Sequence, residues 1–426
     1  MNAQAITEGT DGPAEARARL AESLRVSGRA GAIVSEAFLA VPRHVFLPRD
    51  LIAQAYEDTA IVTKSDADGL AVSASTQPAM MAIMLEQLEL AGGQRVLEIG
   101  TGTGYNAALI AQIVGDSGSV VTIDVEPDLI AAARARLAAA GFADVTVVCG
   151  DGADGVPGHA PYDRIIVTAG VWDLAPQWLA QLGAGGRIVA PLSVRGIQLA
   201  VAFEQAGTHW AGRLPRRCQF IRMTGLSAGP ETVVPLGPQP DLHAVLTDGT
   251  DGPAPEAGPL SEALSGPAVD VPAPSGLRVG GIRELTDLDL WLALTEPGLS
   301  RLNLTGGHGE RANHARQRIA GRMPLGGFAQ CDGVGPLGLA ALAVPTGQAE
   351  NHRPFEVAVR GYGPGGPALA DHLAERAAVW DGLGRPGAAN LELAVYPTGT
   401  RPEAIEGSVI SHRPNSVLVA GWPMSE

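Results

Sequence analysis

The chain has 426 residues, of which 46% are hydrophobic but only 4% aromatic, and its formal net charge is -15. That length predicts two domains with cores built mainly from Ala, Val, Leu and Ile, and the acidic balance excludes nucleic acid as the expected partner, since phosphate binding needs a basic face. Three cysteines, Cys149, Cys218 and Cys331, stand far apart with no Cys-x-x-Cys, which predicts neither a zinc site nor a disulfide framework but reduced, cytoplasmic thiols.

The first residues, "MNAQAITEGTDGPAEARARL", lack the apolar centre of a signal peptide, and no apolar run approaches the ~18 residues needed to span a bilayer, so no membrane partner is expected. Apolar residues recur at helical spacing through "ARARLAESLRVSG" and "AIVSEAFLAV", predicting helix from about 14 to 40. "VPRHVFLP" is a rigid turn bracketed by Pro42 and Pro48. A second helix is predicted from 78 to 90, with Pro78 in the first turn, where a missing N–H costs little. Short apolar strands then alternate with Ala-rich helices. "RVLEIG", "SVVTID", "VTVVCGD", "YDRIIVTAG" and "GGRIVAPLS" read as strands; "YNAALIAQIVG", "PDLIAAARARLAAAG" and "APQWLAQL" read as helices. Continuous apolar strands between helices predict a parallel sheet covered on both faces.

The composition changes after this region. Residues 227–277 are rich in Pro, Gly and Ala and read as a linker of irregular surface chain. Residues 278–426 start with the helix "IRELTDLDLWLALTEPG". The strands "GLAALAVP", "FEVAVRGYG", "LELAVYP" and "SVLVAGW" follow, with the helix "ALADHLAERAAVWDGLG" between the second and third. The expected organisation is therefore an α/β domain at 1–226, a linker at 227–277 and a smaller α+β domain at 278–426 that carries no catalytic motif.

Chemistry is expected where the first strand gives way to a helix, in "VLEIGTGTGY", which holds Glu98, Gly100, Thr101, Gly102, Gly104 and Tyr105. Glycines there allow positive φ and close approach of backbone to a ligand. The helix N-terminus behind them presents unpaired N–H groups that suit an anionic group. A shifted frame, Gly102, Gly104 and Ala107, fits the dinucleotide pattern G-x-G-x-x-A. Asp124 ends the second strand beside Val125, where a carboxylate can accept from both ribose hydroxyls of NAD or of S-adenosylmethionine, or else begin a helix. Asp151 and Gly152, in "CGDGADG", suit an adenine or a plain turn, and Thr168 ends the fourth strand. Upstream, Ser75, Thr76 and Gln77 form a polar turn that either caps the helix at Pro78 or borders a substrate. His44, His159 and His209 are scattered and read as surface or packing residues rather than bases.

In this order, "VPRHVFLP", "AYEDTAIV", "STQPAMMAIMLEQLEL", "VLEIGTGTGYNAALIA", "GDG", "APYDRIIVTAG" and "PQWLAQLGAGGRIVAPL" resemble protein-L-isoaspartate O-methyltransferases, with "CQFIRMTG" as the closing strand. The resemblance covers roughly residues 30 to 225. It implies a Rossmann-like class I S-adenosylmethionine-dependent methyltransferase domain, here followed by the smaller C-terminal α+β domain. It further implies S-adenosyl-L-methionine as cofactor, S-adenosyl-L-homocysteine as product, and a peptide side-chain carboxylate as acceptor. The family's Ser-Gln-Pro aligns with Thr76, Gln77 and Pro78. Thr76, with Ser75 and Gln77, is thus the candidate catalytic group; it keeps the hydroxyl but adds a methyl and loses rotamer freedom. An acceptor carboxylate of pKa roughly 4 is already ionised at neutral pH. No general base is then needed, and alignment with exclusion of water carries the rate.

The long C-terminal extension resembles the architecture of family members that modify ribosomally made peptides, those of FxLD-type lanthipeptides and graspetides. That resemblance implies methylation of an ordinary aspartate in a cyclised precursor peptide. Attack by the following amide then gives a succinimide (aspartimide), which hydrolyses partly to isoaspartate. The second domain would help dock the peptide. The alternative is repair of isoaspartate in aged proteins, and either way the partner is a peptide or protein bearing Asp or isoAsp. An NAD-dependent oxidoreductase lacks a candidate hydride-transfer acid or base. A non-catalytic peptide binder sits poorly with intact glycines and Asp124.

Overall fold

The computed structural model describes residues 12–423 apart from 68, 70, 225–227, 236–241, 248–257, 259–261, 264–265, 297–299, 307–321, 331–337, 346–353 and 403–406. Residues 1–11, on which the signal-peptide reading mainly rests, and Cys331 lie outside the described residues. Among the described residues no helix is long and apolar enough to cross a membrane.

The predicted helix of 14 to 40 is two helices, α1 (Pro13–Val26) and α2 (Ala32–Ala40). Gly28 divides them: it sits at φ +68°, a conformation that suits glycine, and its N–H donates to the Arg25 carbonyl. Two 3-10 turns, Arg43–Phe46 and Arg49–Gln54, lead into a hairpin of β1 (Ile61–Ser65) and β2 (Ala71–Ser75), and α3 (Pro78–Leu88) starts at its proline as the sequence predicts. Next come β3 (Arg95–Ile99), α4 (Tyr105–Val114), β4 (Ser119–Asp124), α5 (Pro127–Ala139), β5 (Thr146–Cys149), β6 (Tyr162–Val167), α6 (Pro176–Gln181) and β7 (Leu182–Val194). These strands lie in the order β5-β4-β3-β6-β7 and pair in parallel, with Leu97 opposite both Val121 and Ile165. The antiparallel β8 (Ile197–Ala206) and β9 (His209–Cys218) continue the sheet.

Within 227–277, where composition predicts linker, the chain forms β10 (Glu231–Pro235), β11 (Leu242–Thr247) and β12 (Ala268–Pro272). Their pairing partners come largely from far along the sequence, so composition could not reveal them. Beyond lie β13 (Arg278–Val279), α7 (Ile282–Thr295), β14 (Ser300–Gly306), β15 (Arg322–Gln330), β16 (Gly338–Pro345), β17 (Phe355–Glu356) and β18 (Ala358–Tyr362). The chain ends with α8 (Gly366–Gly382), β19 (Glu392–Pro397), β20 (Val409–His412) and β21 (Ser416–Gly421). A seven-stranded sheet runs β10-β11-β14-β15-β16-β18-β12. The last three strands instead join the first sheet: β19 pairs with β9, and the full order is β20-β21-β19-β9-β8-β7-β6-β3-β4-β5.

One hydrophobic cluster joins the N-terminal helices to strand residues, with Leu24, Phe38, Met84, Leu85, Tyr105 and Val189 buried together. A second runs without a break from Leu97, Trp178 and Phe203 through Leu288 and Trp291 of α7 to Leu373 and Trp380 of α8. The C-terminal part of the chain therefore shares both a sheet and a core with the part that precedes it.

Candidate active site

The C-terminal ends of β3, β4 and β6 open onto a cleft of about 690 Å³. Its position follows from topology: β3 is flanked by β4 on one side and β6 on the other, so the crossovers to either side diverge there and leave a crevice. The cleft gathers Gly100, Thr101, Gly102 and Tyr105 from the glycine turn, Asp124 and Val125 from the end of β4, Asp151 and Gly152 after β5, and Thr168 after β6. Ser75, Thr76 and Gln77 line it too, as do residues of 217–224. Two predicted residues do not: Gly104 is the N-cap of α4, and Glu98 lies buried behind the turn. None of His44, His159 and His209 lines the cleft.

The turn is held by side chains on the neighbouring strands. Gly100 and Gly102 have φ of +100° and +49°. Asp124 Oδ2 accepts from the Gly102 N–H at 2.9 Å, and its Oδ1 accepts from the Glu126 N–H at 3.2 Å. The Thr168 hydroxyl donates to the Gly100 and Ile99 carbonyls at 2.7 and 3.0 Å. Asp151 Oδ1 takes the Ala153 N–H at 2.9 Å and caps a 3-10 turn, Gly152–Asp154. Side-chain hydrogen bonds from within the chain thus fix the backbone of the site.

Glu98 braces this turn from below. Its carboxylate accepts from Asn106 Nδ2 at 2.8 Å and from Thr122 Oγ1 at 2.6 Å, and Thr122 Oγ1 in turn lies 2.8 Å from Thr101 Oγ1. Burial pushes the Glu98 carboxyl up to about 7, outweighing the two hydrogen bonds that lower it. The folded chain then keeps a proton that the unfolded chain releases between about pH 4.5 and 7. This contribution to stability is full below about 4.5 and is lost as pH rises through about 7. In denaturant titrations, the unfolding free energy of the wild type should fall relative to that of Glu98→Gln across this window, by on the order of 3 kcal/mol. Parallel pH dependences for the two proteins would show that Glu98 titrates normally.

The polar turn is organised by a residue that sequence reading passed over as part of a rigid bend. Arg43 is fully buried. Its guanidinium donates to Ser75 Oγ at 3.1 Å, to the Thr76 carbonyl at 3.0 Å, and to the carbonyls of Ala55, Glu57 and Thr59 at 3.1, 3.2 and 3.3 Å. It also stands 6.0 Å from the Tyr105 ring centre, which faces its charge. The Ser75 hydroxyl is therefore engaged inside the protein. No side-chain hydrogen bond caps α3 from its N-cap, Gln77; Asp58 Oδ1 takes the Ala79 N–H at 2.8 Å, and Gln77 Nε2 donates to the Asp58 carbonyl at 3.0 Å. Thr76 lines the cleft, and among the described residues no side-chain bond engages its hydroxyl.

Two further devices were not predicted. Lys64 on β1 reaches Glu126 Oε2 at 2.5 Å and Asp128 Oδ1 at 2.9 Å, latching the β1–β2 hairpin to the Asp124 side of the cleft. The predicted closing strand "CQFIRMTG" is displaced: β9 ends at Cys218. Residues beyond it are held instead by the Gln198 side chain, which bonds both the N–H and the carbonyl of Phe220 at 2.6 and 3.1 Å, and by Gly170, whose N–H donates to the Ile221 carbonyl at 2.8 Å.

The residues present fit S-adenosylmethionine. Carboxylates at Asp124, Glu126 and Asp151 suit a ribose diol, an adenine edge and a net cation. The first turn of α4, with Tyr105 and Asn106 on the cleft, suits a carboxylate, and Ile99, Leu129 and Met223 supply apolar surface.

Comparison with known proteins agrees. Residues 15–228 match the family described as "Protein-L-isoaspartate(D-aspartate) O-methyltransferase (PCMT)". A protein-L-isoaspartate O-methyltransferase of Thermotoga maritima is 37% identical over 195 residues, 45% of this chain and 61% of that relative. One of Methanopyrus kandleri is 40% identical over 216 residues, 49% of this chain and 92% of that relative. A solved structure named protein-L-isoaspartate O-methyltransferase aligns over 89% of this chain and 96% of its own, at 25% identity and a TM-score of 0.48.

Proposed function

The chain belongs to the protein-L-isoaspartate(D-aspartate) O-methyltransferase family and is an S-adenosylmethionine-dependent carboxyl O-methyltransferase, and from that premise we propose that it methylates isoaspartyl or D-aspartyl residues in damaged proteins. One observation carries this reading: every residue lining the cleft falls between 60 and 224, inside the matched span of 15–228. The relatives bear the isoaspartate name, which favours repair over the expectation of an aspartate in a cyclised precursor peptide. The chemistry is assigned to 1–226, with the chain beyond 277 packed against that part through a shared sheet and core. A cytoplasmic location belongs to the proposal as well.

In an isoaspartyl linkage the backbone runs through the side-chain carboxyl and leaves the α-carboxylate free. S-adenosylmethionine supplies a methyl already activated by a sulfonium charge. The protein's task is to present the acceptor oxygen and keep water away. Thr76 donates its hydroxyl to the acceptor carboxylate, on a turn whose backbone Arg43 fixes. The hairpin latched by Lys64 supplies part of the cleft wall. No base is required, because an acceptor carboxyl of pKa roughly 4 has already lost its proton. The methyl ester then offers methoxide in place of oxide as leaving group. Attack by the next backbone N–H closes a succinimide and releases methanol.

The test is methyl transfer to a short isoaspartyl peptide and to its aspartyl twin. The isoaspartyl peptide should be preferred by at least about a hundredfold in kcat/KM, as expected where a site reads the position of one polar group. Equal rates, or transfer only to an aspartate held in a cyclised peptide, would reject repair in favour of the precursor-peptide reading.

A further inference from the structure

The family match ends at residue 228, yet the cleft wall is fastened to residues well beyond it. Arg217 lines the cleft; its guanidinium donates to the Thr286 carbonyl at 2.6 Å and to Asp289 Oδ2 at 3.1 Å, both on α7. The two partners are unequally placed. The Asp289 side chain is 1% exposed, whereas that of Arg217 is 24% exposed. A carboxylate buried so fully is costly unless its geometry is held, so it acts as a fixed point for Arg217, the more exposed partner and a residue of the cleft wall.

A second buried carboxylate does the same on the neighbouring segment. Asp173, just beyond the cleft residues Thr168 and Ala169, accepts from the Asn415 N–H at 2.7 Å and from the Ser416 hydroxyl at 2.5 Å. Two chain segments that frame the cleft, 168–173 and 217–224, are thus each tied to the C-terminal part of the chain. The glycine turn, Asp124 and Asp151 supply the donor side. A cation at Arg217 suits instead the carboxylate-bearing acceptor, whose charge is opposite.

We propose that Asp289 is a positioning residue for the acceptor, acting through Arg217 from outside the family-matched span. This rests on the isoaspartyl reading above. The C-terminal part of the chain then has a role in the reaction itself: it sets where the acceptor wall stands, and so how tightly an acidic acceptor is held, without touching the donor.

Asp289→Asn keeps the shape and removes the charge. With an isoaspartyl peptide, its acceptor KM should rise roughly tenfold while kcat stays within about twofold. Its affinity for S-adenosylhomocysteine, measured by calorimetry, should also stay within about twofold. An unchanged KM beside an active wild type overturns the proposal alone. So does a parallel loss of S-adenosylhomocysteine binding, which would mark the contact as a general support of the fold. If the wild type transfers no methyl to the isoaspartyl peptide, the functional reading has failed and the proposal falls with it; that outcome is seen before any variant is made.

Discussion

Arg43→Met is expected to lower kcat/KM for the acceptor by at least about a hundredfold, because it removes the donor group shared by one buried and three partly buried carbonyls and a buried hydroxyl. Methionine approximates the length and fills the space, but it donates nothing. The carbonyls of Ala55, Glu57, Thr59 and Thr76, together with Ser75 Oγ, would lose their hydrogen bonds at once. At about 1–3 kcal/mol for each buried polar group left without a partner, the Ala55 carbonyl and Ser75 hydroxyl alone would cost several kcal/mol, a sizeable part of the stability of an ordinary domain. The local chain would respond by moving until water reaches those carbonyls. That movement is fatal to catalysis first, since the residues that move include the 75–77 turn. Burial pulls the Arg43 guanidinium below its ordinary pKa, while Asp58 and Tyr105 favour its charge. Lysine is no substitute: a point-like ammonium with three donors cannot reproduce a planar fork aimed at so many acceptors. Hydrogen exchange should therefore show protection lost across 55–60 and 73–77 in both variants. Wild-type acceptor kinetics in Arg43→Met would remove Arg43 from the account.

What could be read in advance and what could not divides along sequence separation. The β3–α4 turn, Asp124 and Asp151 are legible because each signal is local: apolar strand, glycines, then a polar residue at the strand's end. Gly28 was equally local, and its helix-ending role was available from its place after Arg25. The groups that organise the acceptor corner are different in kind. Arg43 reaches Ser75 across 32 positions, Asp58 reaches Ala79 across 21, and Lys64 reaches Glu126 across 62. Arg217 reaches Asp289 across 72. No periodicity or spacing rule links such pairs; only the folded sheet does. The same holds for the strands of 227–277 and for β19, whose apolar alternation was visible but whose partner β9 was not. Glu98 shows a third case. Its place beside the glycines predicts a ligand-binding residue, yet the strand buries it against Thr122 and Asn106, where it supports the turn rather than lining the cleft.

The glycines themselves should separate stability from binding. A Cβ built on Gly100 would stand 2.5 Å from Thr168 Oγ1, at a φ of +100° that L residues rarely adopt. Thr168 cannot give way freely, because its hydroxyl is what ties β6 to the Gly100 carbonyl. Gly100→Ala thus incurs backbone strain and breaks a hydrogen bond. A loss of about 3 kcal/mol in unfolding free energy is expected, with S-adenosylhomocysteine binding reduced by more than about a hundredfold. Gly102 is the contrasting case. Its φ of +49° lies in the left-handed well, at a cost of roughly 1–2 kcal/mol for alanine, and an added Cβ meets nothing nearer than Ser73 Oγ at 3.8 Å. Ser73 and Gly102 both line the cleft, so the new methyl would occupy the space between the turn and β2. Gly102→Ala should therefore lose only about 1–2 kcal/mol of stability, less than Gly100→Ala, while binding the cofactor product at least about tenfold more weakly, as a methyl placed where a ligand must approach the backbone would do. Thermal unfolding and calorimetry on the two variants distinguish these effects. Should Gly100→Ala prove as stable as Gly102→Ala, the Thr168 tie is not what holds the turn, and the shape of the cleft floor must come from Asp124 alone.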